Sequence, residues 1–139
     1  MSLVLDSSVA LTWFYDDEVV PATEDIQNMV VAGGALVPAI WHLETANSLQ
    51  MNVRRRRITE SDRDAALTEL ASLAILVDPE TIVRAWSDTL ALSTRFRLTV
   101  YDAAYLELAH RRGLPLASLD GELRAAASTL GVDVLPTQA

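Results

Sequence analysis

The sequence predicts an α/β protein, a single domain of residues 1–139 with a parallel central sheet and helices on both faces. Two observations lead to this prediction: the chain contains short apolar runs that suit buried strands, and these alternate with longer segments whose apolar residues recur at helical spacing. Such alternation is typical of βα units, whose strands lie parallel beneath helices. The length of 139 residues suits one core, since domains of roughly 100–150 residues are the commonest.

Each predicted strand is an apolar run followed by a residue that ends it. Asp6 follows the first run, Pro38 closes the second, and Asp78 precedes a proline after the third. The predicted strands cover residues 3–5, 35–37, 75–77, 116–119 and 132–135.

The predicted helices fill the segments between these strands. The first begins at residue 7 or 8, and the others cover residues 22–31, 40–57, 59–73, 79–96, 102–112 and 121–130. In the segment from residue 40, Leu43, Ala46, Leu49 and Val53 recur at spacings of three and four, so we expect them to face inward. Gly113 and Gly131 are natural stops for the last two helices.

Composition excludes several classes of protein. No apolar run approaches the roughly 20 residues that span a bilayer, and the first residues lack the basic start and apolar core of a signal peptide. The chain contains no cysteine, which rules out disulfides and thiolate zinc sites. We therefore expect a soluble, cytoplasmic protein with no membrane partner.

The charge balance restricts the mode of nucleic-acid binding. A net charge of −8 argues against long, nonspecific tracking along a phosphate backbone, which needs a basic surface. It leaves room for a nuclease in which a small local patch holds phosphates. Every basic residue is arginine, so mechanisms that need a lysine, including that of a phosphate-binding P-loop, are excluded.

Four acidic residues lie in similar local settings although they are far apart in the chain. Asp6 and Asp120 follow predicted strands, Asp102 opens a predicted helix, and Glu44 lies early in another. The carboxyl ends of parallel strands converge on one edge of a sheet, where ligands bind. We expect the acids to meet there as an all-oxygen site suited to Mg²⁺ or Mn²⁺, because close carboxylates repel unless a hard cation binds them.

Ordinary roles are open to each acid taken alone. Asp6, Asp102 and Asp120 suit helix N-caps, and capping alone is an even alternative for any one of them. Glu44 is harder to explain in this way, because a glutamate on an inward helix face without a partner is costly. Asn47, one turn later, would stand beside it and orient the carboxylate or bind a phosphate oxygen.

Four segments carry a family resemblance when they are taken together. VLDSSVAL, ETANSL, YDAAYLELA and LASLDGEL occur in this order and resemble the motifs of PIN-domain nucleases, above all the VapC-type toxins of bacterial toxin–antitoxin pairs. The resemblance covers residues 3–136. A single piece such as LDSS is weakly specific, whereas four in sequence are a strong signal.

The resemblance implies an endoribonuclease that depends on Mg²⁺ or Mn²⁺ and acts as a toxin. It implies a catalytic and metal-binding set of Asp6, Glu44, Asp102 and Asp120, with Ser7, Asn47 and Ser118 as supporting polar residues. Ser118 stands where many relatives have threonine, and the hydroxyl is kept. The resemblance further implies an RNA substrate, a homodimer, and an antitoxin partner whose peptide occupies a hydrophobic groove that Trp13 or Phe14 would line.

The run Arg54, Arg55, Arg56 and Arg57 is the densest positive charge in the chain. A solvated helix end, where cations complement the helix dipole, is the plainer interpretation. The functional interpretation is contact with RNA phosphates, which suit bidentate guanidinium groups. Trp41 and Trp86 are interpreted as core or dimer-interface residues.

Three other classes of protein compete with the nuclease: a signalling receiver domain, a phosphatase and a non-catalytic binding module. A phosphorylated receiver domain needs an acidic pair after the first strand and a lysine, and a haloacid-dehalogenase-like phosphatase needs Asp-x-Asp; the chain has Ser8 two residues after Asp6 and no lysine. A non-catalytic PIN-like binding module is the remaining alternative. The presence of all four acids disfavours it.

Overall fold

The computed structural model describes residues 1–138 and contains short strands that alternate with helices. The strands are β1 (Leu3–Leu5), β2 (Ala35–Val37), β3 (Ile75–Val77), β4 (Leu116–Ala117) and β5 (Val134–Leu135). The helices are α1 (Ser7–Thr12), α2 (Pro21–Gly33), α3 (Trp41–Arg54), α4 (Glu60–Ala71), α5 (Thr81–Arg84), α6 (Asp88–Phe96), α7 (Val100–Arg112) and α8 (Gly121–Leu130).

The strands form one parallel sheet in the order β3-β2-β1-β4-β5. The predicted α/β class is thereby confirmed. β1 lies at the centre with its three residues fully buried, as expected for a strand covered on both faces. β3 is an edge strand, and Leu76 and Val77 are 55% and 43% exposed.

The order of the strands reverses beside β1. The chain runs from β1 to β2 and β3 on one side and then returns to place β4 and β5 on the other. In open parallel sheets, a crevice forms at such a switch point, outside the carboxyl ends of the strands. The ends of β1 and β4 therefore define where a site is expected. The long helix α7 packs against both strands and carries a buried run from Ala103 to Ala109.

Gly34 shows why the turn into β2 needs glycine. Its φ is +71°, and a Cβ built there would come within 2.8 Å of the carbonyl oxygen of Ala74. Both the left-handed backbone and the close approach exclude other residues. This turn delivers β2 beside β1.

The single helix predicted over residues 79–96 is wrong. The structure has two helices there, α5 and α6, separated at Ser87, whose φ of −121° and ψ of −96° are not helical. α5 has no buried residue, so no packing holds a continuous helix in place, and helices that short depend on packing.

The inward face predicted for α3 is right at Leu49, which is fully buried, and wrong at Leu43 and Ala46. The buried positions are Trp41, Thr45 and Leu49, whereas Leu43 is 69% exposed and Ala46 is exposed. The indole of Trp41 enters the core and sets the phase of the helix, so that residues four and eight positions later follow it inward. α3 ends at Arg54 rather than at residue 57, and Arg56 has a positive φ of 59°.

No helix within residues 1–138 has the length and apolar character needed to cross a bilayer.

Candidate active site

The four predicted acids lie near one another at the carboxyl ends of β1 and β4. Asp6 directly follows β1, and Asp120 lies three residues after the end of β4. Glu44 and Asp102 come from the first turns of α3 and α7. Their charges act on one another: Asp120 acts on Asp6, Asp6 and Asp102 act on Glu44, and Asp120 and Asp6 act on Asp102.

Asp6 is the most deeply placed of the four, with 5% exposure. Its backbone N–H donates to the carbonyl of Ala117, which joins the ends of β1 and β4. The hydroxyls of Ser8 and Ser118 both donate to its Oδ2 at 2.7 Å. Burial raises the pKa of the Asp6 carboxyl above 3.8, the two hydroxyls oppose the rise, and the charge of Asp120 adds to it.

Capping alone does not explain Asp6. It occupies the N-cap position of α1, and a backbone interaction with Ser8 lowers the pKa of its carboxyl, yet its side chain makes no capping hydrogen bond of ordinary geometry. An N-cap carboxylate would normally accept from a free backbone N–H of the first turn. Here the side chain is held by two serine hydroxyls instead and is directed toward the other acids.

Glu44 is half-buried and meets a buried phenol. The hydroxyl of Tyr105, a fully buried residue of α7, donates to Glu44 Oε1 at 2.5 Å. Burial raises the pKa of the Glu44 carboxyl, and the charges of Asp6 and Asp102 raise it further, against the lowering effect of the tyrosine hydrogen bond. The pKa of Tyr105 is also raised, first by burial, so the phenol stays protonated and remains a donor.

The sequence predicted that Asp102 opens its helix, whereas Asp102 lies within the first turn of α7. α7 begins at Val100, and its N-cap is Thr99, whose hydroxyl accepts from the backbone N–H of Asp102. The capping role considered for Asp102 therefore belongs to Thr99. Burial raises the pKa of the Asp102 carboxyl, and the charges of Asp120 and Asp6 add to the rise.

Asp120 does cap a helix. Its Oδ1 accepts from the backbone N–H of Leu123 at 2.9 Å, at the start of α8. Its own backbone N–H donates to the hydroxyl oxygen of Ser118. Ser118 is fully buried and thus joins Asp6 to Asp120, which gives this predicted supporting residue a specific contact on each side.

Within the part of the chain that the structure describes, no arginine pairs with Asp6, Glu44, Asp102 or Asp120, which together we call the acidic cluster. All ion pairs found within residues 1–138 involve other acids. The same residues contain no three Asp, Glu or His side chains that converge closely enough to hold one metal ion together. The sequence predicts that the acids meet as one all-oxygen site. In the structure they are electrostatic neighbours that do not form one shared set of ligands.

The donor set nevertheless fits a hard divalent cation. Four carboxylates without an internal counter-charge offer only oxygen ligands, which suit Mg²⁺ or Mn²⁺. Mg²⁺ commonly keeps several waters and takes one or two carboxylates directly, so it does not require all four acids in contact. The pKa values of three of them are raised first by burial, and the charges of neighbouring carboxylates add to the rise.

The remaining predicted residues lie around this cluster. Ser7 reaches the hydroxyl of Tyr105, and Asn47 is exposed on α3 one turn after Glu44. Trp13 is partly buried and donates its Nε1–H to the carbonyl of Thr23 at 2.9 Å. Phe14 is partly buried and packs against the core.

The four consecutive arginines at the end of α3 differ in their contacts. Arg57 pairs with Asp17 at 3.0 Å and with Glu18 at 3.7 Å, and its guanidinium carbon lies 4.2 Å from the ring centre of Tyr15. Arg54 lies 4.0 Å from the sulfur of Met51. Within the described chain, Arg55 and Arg56 enter no ion pair.

Two residues of the site were missed from the sequence. The hydroxyl of Ser8 donates a hydrogen bond to Asp6, whereas the family resemblance implied Ser7. Tyr105 lies three residues after Asp102 and thus on the same side of α7, and a buried tyrosine needs a partner for its hydroxyl. Both signals were present in VLDSSVAL and YDAAYLELA.

Comparison with known proteins agrees with this geometry. Residues 3–128 match the family model described as PIN domain. The chain is 29% identical over 123 residues to Ribonuclease VapC3 of Pyrobaculum aerophilum, an alignment that covers 88% of this chain and 92% of that protein.

Two solved structures share the fold. The crystal structure of PAE2754 from Pyrobaculum aerophilum aligns with a TM-score of 0.71 at 20% identity, covering 99% of this chain and 91% of that one. The structure of FitAcB from Neisseria gonorrhoeae aligns with a TM-score of 0.68 at 12% identity, covering 97% of each chain. At these identities the likeness concerns the fold alone.

Proposed function

Because the chain belongs to the PIN domain family, we propose that it is a metal-dependent endoribonuclease that hydrolyses RNA phosphodiester bonds. We propose further that it is the toxin of a type II toxin–antitoxin pair, with residues 1–139 as one nuclease domain acting in the cytoplasm. One observation carries the proposal: four carboxylates whose charges act on one another lie at the switch point of the sheet, and none of them enters an ion pair within residues 1–138. The similarity to a protein named Ribonuclease VapC3 supports it.

We assign Mg²⁺, or Mn²⁺ in its place, to Asp6, Asp102, Asp120 and Glu44. When bound, such an ion supplies a Lewis acid for the phosphodiester oxygen and lowers the pKa of a water that attacks phosphorus.

The chain's own contribution is to orient the carboxylates. Ser8 and Ser118 both bind Asp6 Oδ2, and Tyr105 binds Glu44 Oε1. These contacts fix the positions of the two carboxylates. Orientation of this kind is what neighbouring hydrogen-bond donors provide to metal-binding carboxylates.

The antitoxin and the homodimer are assigned to different surfaces. The exposed parts of Trp13 and Phe14 are proposed to line the antitoxin groove, in keeping with their partial burial. The dimer is proposed to form over α5, where Ile82, Val83 and Trp86 are 79%, 74% and 92% exposed. Apolar surface of this extent marks interaction sites. Sedimentation of the wild type and of Trp86→Glu tests this, since only the wild type should sediment as a dimer.

The proposed activity is tested with purified protein and total RNA. Wild-type protein should cut RNA in Mg²⁺ or Mn²⁺ and not in EDTA. Asp6→Asn should lower the rate by about 10³-fold or more, because metal binding supplies several kcal/mol of transition-state stabilisation. Its circular dichroism spectrum should match that of the wild type.

Asp133→Asn is the matched control, since Asp133 is exposed and away from the cluster. It should cut at the wild-type rate. Full activity of Asp6→Asn would remove the assignment. Absence of cutting by every protein, together with no thermal stabilisation by Mn²⁺, would favour a non-catalytic binding module.

A further inference from the structure

A polar groove of about 460 Å³ leads away from the acidic cluster between α1 and α3. Ser8 stands at the end nearest the acids, since its hydroxyl binds Asp6. Asn47, three residues after Glu44, lines the groove on α3. The volume lies in the range of about 300–1,000 Å³ that is typical of ligand pockets. The groove therefore begins where the reaction is proposed to occur.

One side of α3 forms the floor of this groove. Residues 47, 48, 51, 52 and 55 line it, and their spacing places them on one helical face that starts at Glu44. From Glu44 to Arg55 the face extends for about three turns. A substrate that occupied the acidic cluster would have to continue over this face or leave the surface.

The lining has the mixed chemistry of a nucleotide site. Leu11 and Met51 supply apolar surface, on which a base can lie. Asn47 and Asn52 supply amides, which both donate and accept and so can read base edges. Asn52 is held in place, because its Nδ2 donates to the hydroxyl of Tyr15 at 2.7 Å.

The positive charge of the groove comes from Arg55. Arg57 also lines it, but Asp17 and Glu18 neutralise its guanidinium, which stacks on Tyr15. Arg55 is exposed, lines the groove and enters no ion pair within the described chain. In a chain of net charge −8, such an unneutralised arginine at the end of a polar groove is suited to a phosphate.

We infer that the groove between α1 and α3 is a substrate subsite for single-stranded RNA flanking the cleaved bond. It holds a base against Leu11 and Met51, with Asn52 at the base edge and Arg55 on a phosphate. The inference rests on the proposed function. It assigns different roles to Arg54 and Arg55, although they are adjacent in sequence.

The test compares Arg55→Gln with Arg112→Gln, which removes the same charge from an exposed position in the last turn of α7, outside the groove. Each is placed in the Asp102→Asn background, which prevents cleavage, and binding of a short, fluorescently labelled single-stranded RNA of mixed sequence is measured in Mg²⁺ by anisotropy at several salt concentrations. Arg55→Gln should weaken binding by about tenfold and lower the slope of log affinity against log salt by about 0.7, the value for one phosphate contact on a single strand. Arg112→Gln should leave both unchanged.

Cleavage by the two variants in the otherwise wild-type protein supplies a second readout. Arg55→Gln should raise KM and leave kcat near the wild-type value, since the subsite binds substrate remote from the reacting atoms. Equal binding and equal KM for the two variants would overturn the subsite while the nuclease assignment stands. A wild-type protein that neither binds nor cuts RNA would overturn both.

Discussion

Two groups of carboxylates both include residues of α7, and they differ in one respect, the presence of an arginine side chain. The guanidinium nitrogens of Arg111 donate to the carboxylate oxygens of Asp78, Glu107 and Glu80 at 2.6, 2.9 and 3.1 Å. In the acidic cluster no arginine takes part. Each group contains a buried and an exposed acid, Asp78 and Glu80 in the first and Asp6 and Asp120 in the second, so burial alone does not distinguish them.

The pKa shifts follow this difference. Burial acts to raise the pKa of Asp78, but the hydrogen bonds and positive charge of Arg111 outweigh it, and the pKa lies below 3.8. In the acidic cluster burial also acts to raise the pKa, and neighbouring negative charges add to it. A group that the fold neutralises is suited to a structural role, whereas one that the fold leaves negative is suited to binding a cation from solution. This contrast is why we assign metal binding to one group and stability to the other.

The largest expected effect comes from breaking the neutralised group. Arg111→Met would leave Asp78 and Glu107, with side-chain exposures of 0% and 4%, buried without a partner. Loss of one member of a buried pair costs about 3–5 kcal/mol, so the free energy of unfolding in urea should fall by that amount. Arg112→Met removes an exposed neighbour and should change it by less than about 1 kcal/mol. Equal effects of the two variants would contradict the structural role of the Arg111 group.

A smaller effect is expected from Tyr105→Phe, which alters a contact of the acidic cluster. The variant keeps the ring and removes the donor to Glu44. A hydrogen bond to a charged group contributes about 1.5–3 kcal/mol, so we expect kcat to fall by roughly tenfold or more and the dissociation constant for Mn²⁺ to rise. Tyr101→Phe on the same helix, where Tyr101 is 60% exposed, should change neither. An unaltered Mn²⁺ affinity in Tyr105→Phe would show that the phenol does not orient Glu44.

The sequence predicted the structure correctly where several consecutive residues are all buried. Fully apolar runs such as Leu3–Leu5 predicted the central strands, because a strand covered on both faces must be apolar throughout. The acids at the ends of β1 and β4 followed from the parallel topology. Gly131 correctly marked the end of α8.

The sequence was misleading where packing between distant segments determines which residues are buried and where a helix ends. The inward face of α3 depends on the entry of Trp41 into the core, which apolar spacing around Leu43 could not reveal. The break at Ser87 arises because α5 buries no residue. Arg111 pairs with Asp78 across 33 positions, and Tyr105 with Glu44 across 61; contacts at such separations leave no periodic trace in the sequence.

The most direct measurement is a titration of the purified protein with Mn²⁺, followed by chemical unfolding. Binding to the acidic cluster at a concentration one hundred times the dissociation constant should raise the free energy of unfolding by about 2.7 kcal/mol. Asp102→Asn should lose most of that gain, and Asp133→Asn should keep it. An unstabilised wild type, or equal stabilisation of all three proteins, would contradict the claim that these carboxylates await a divalent cation.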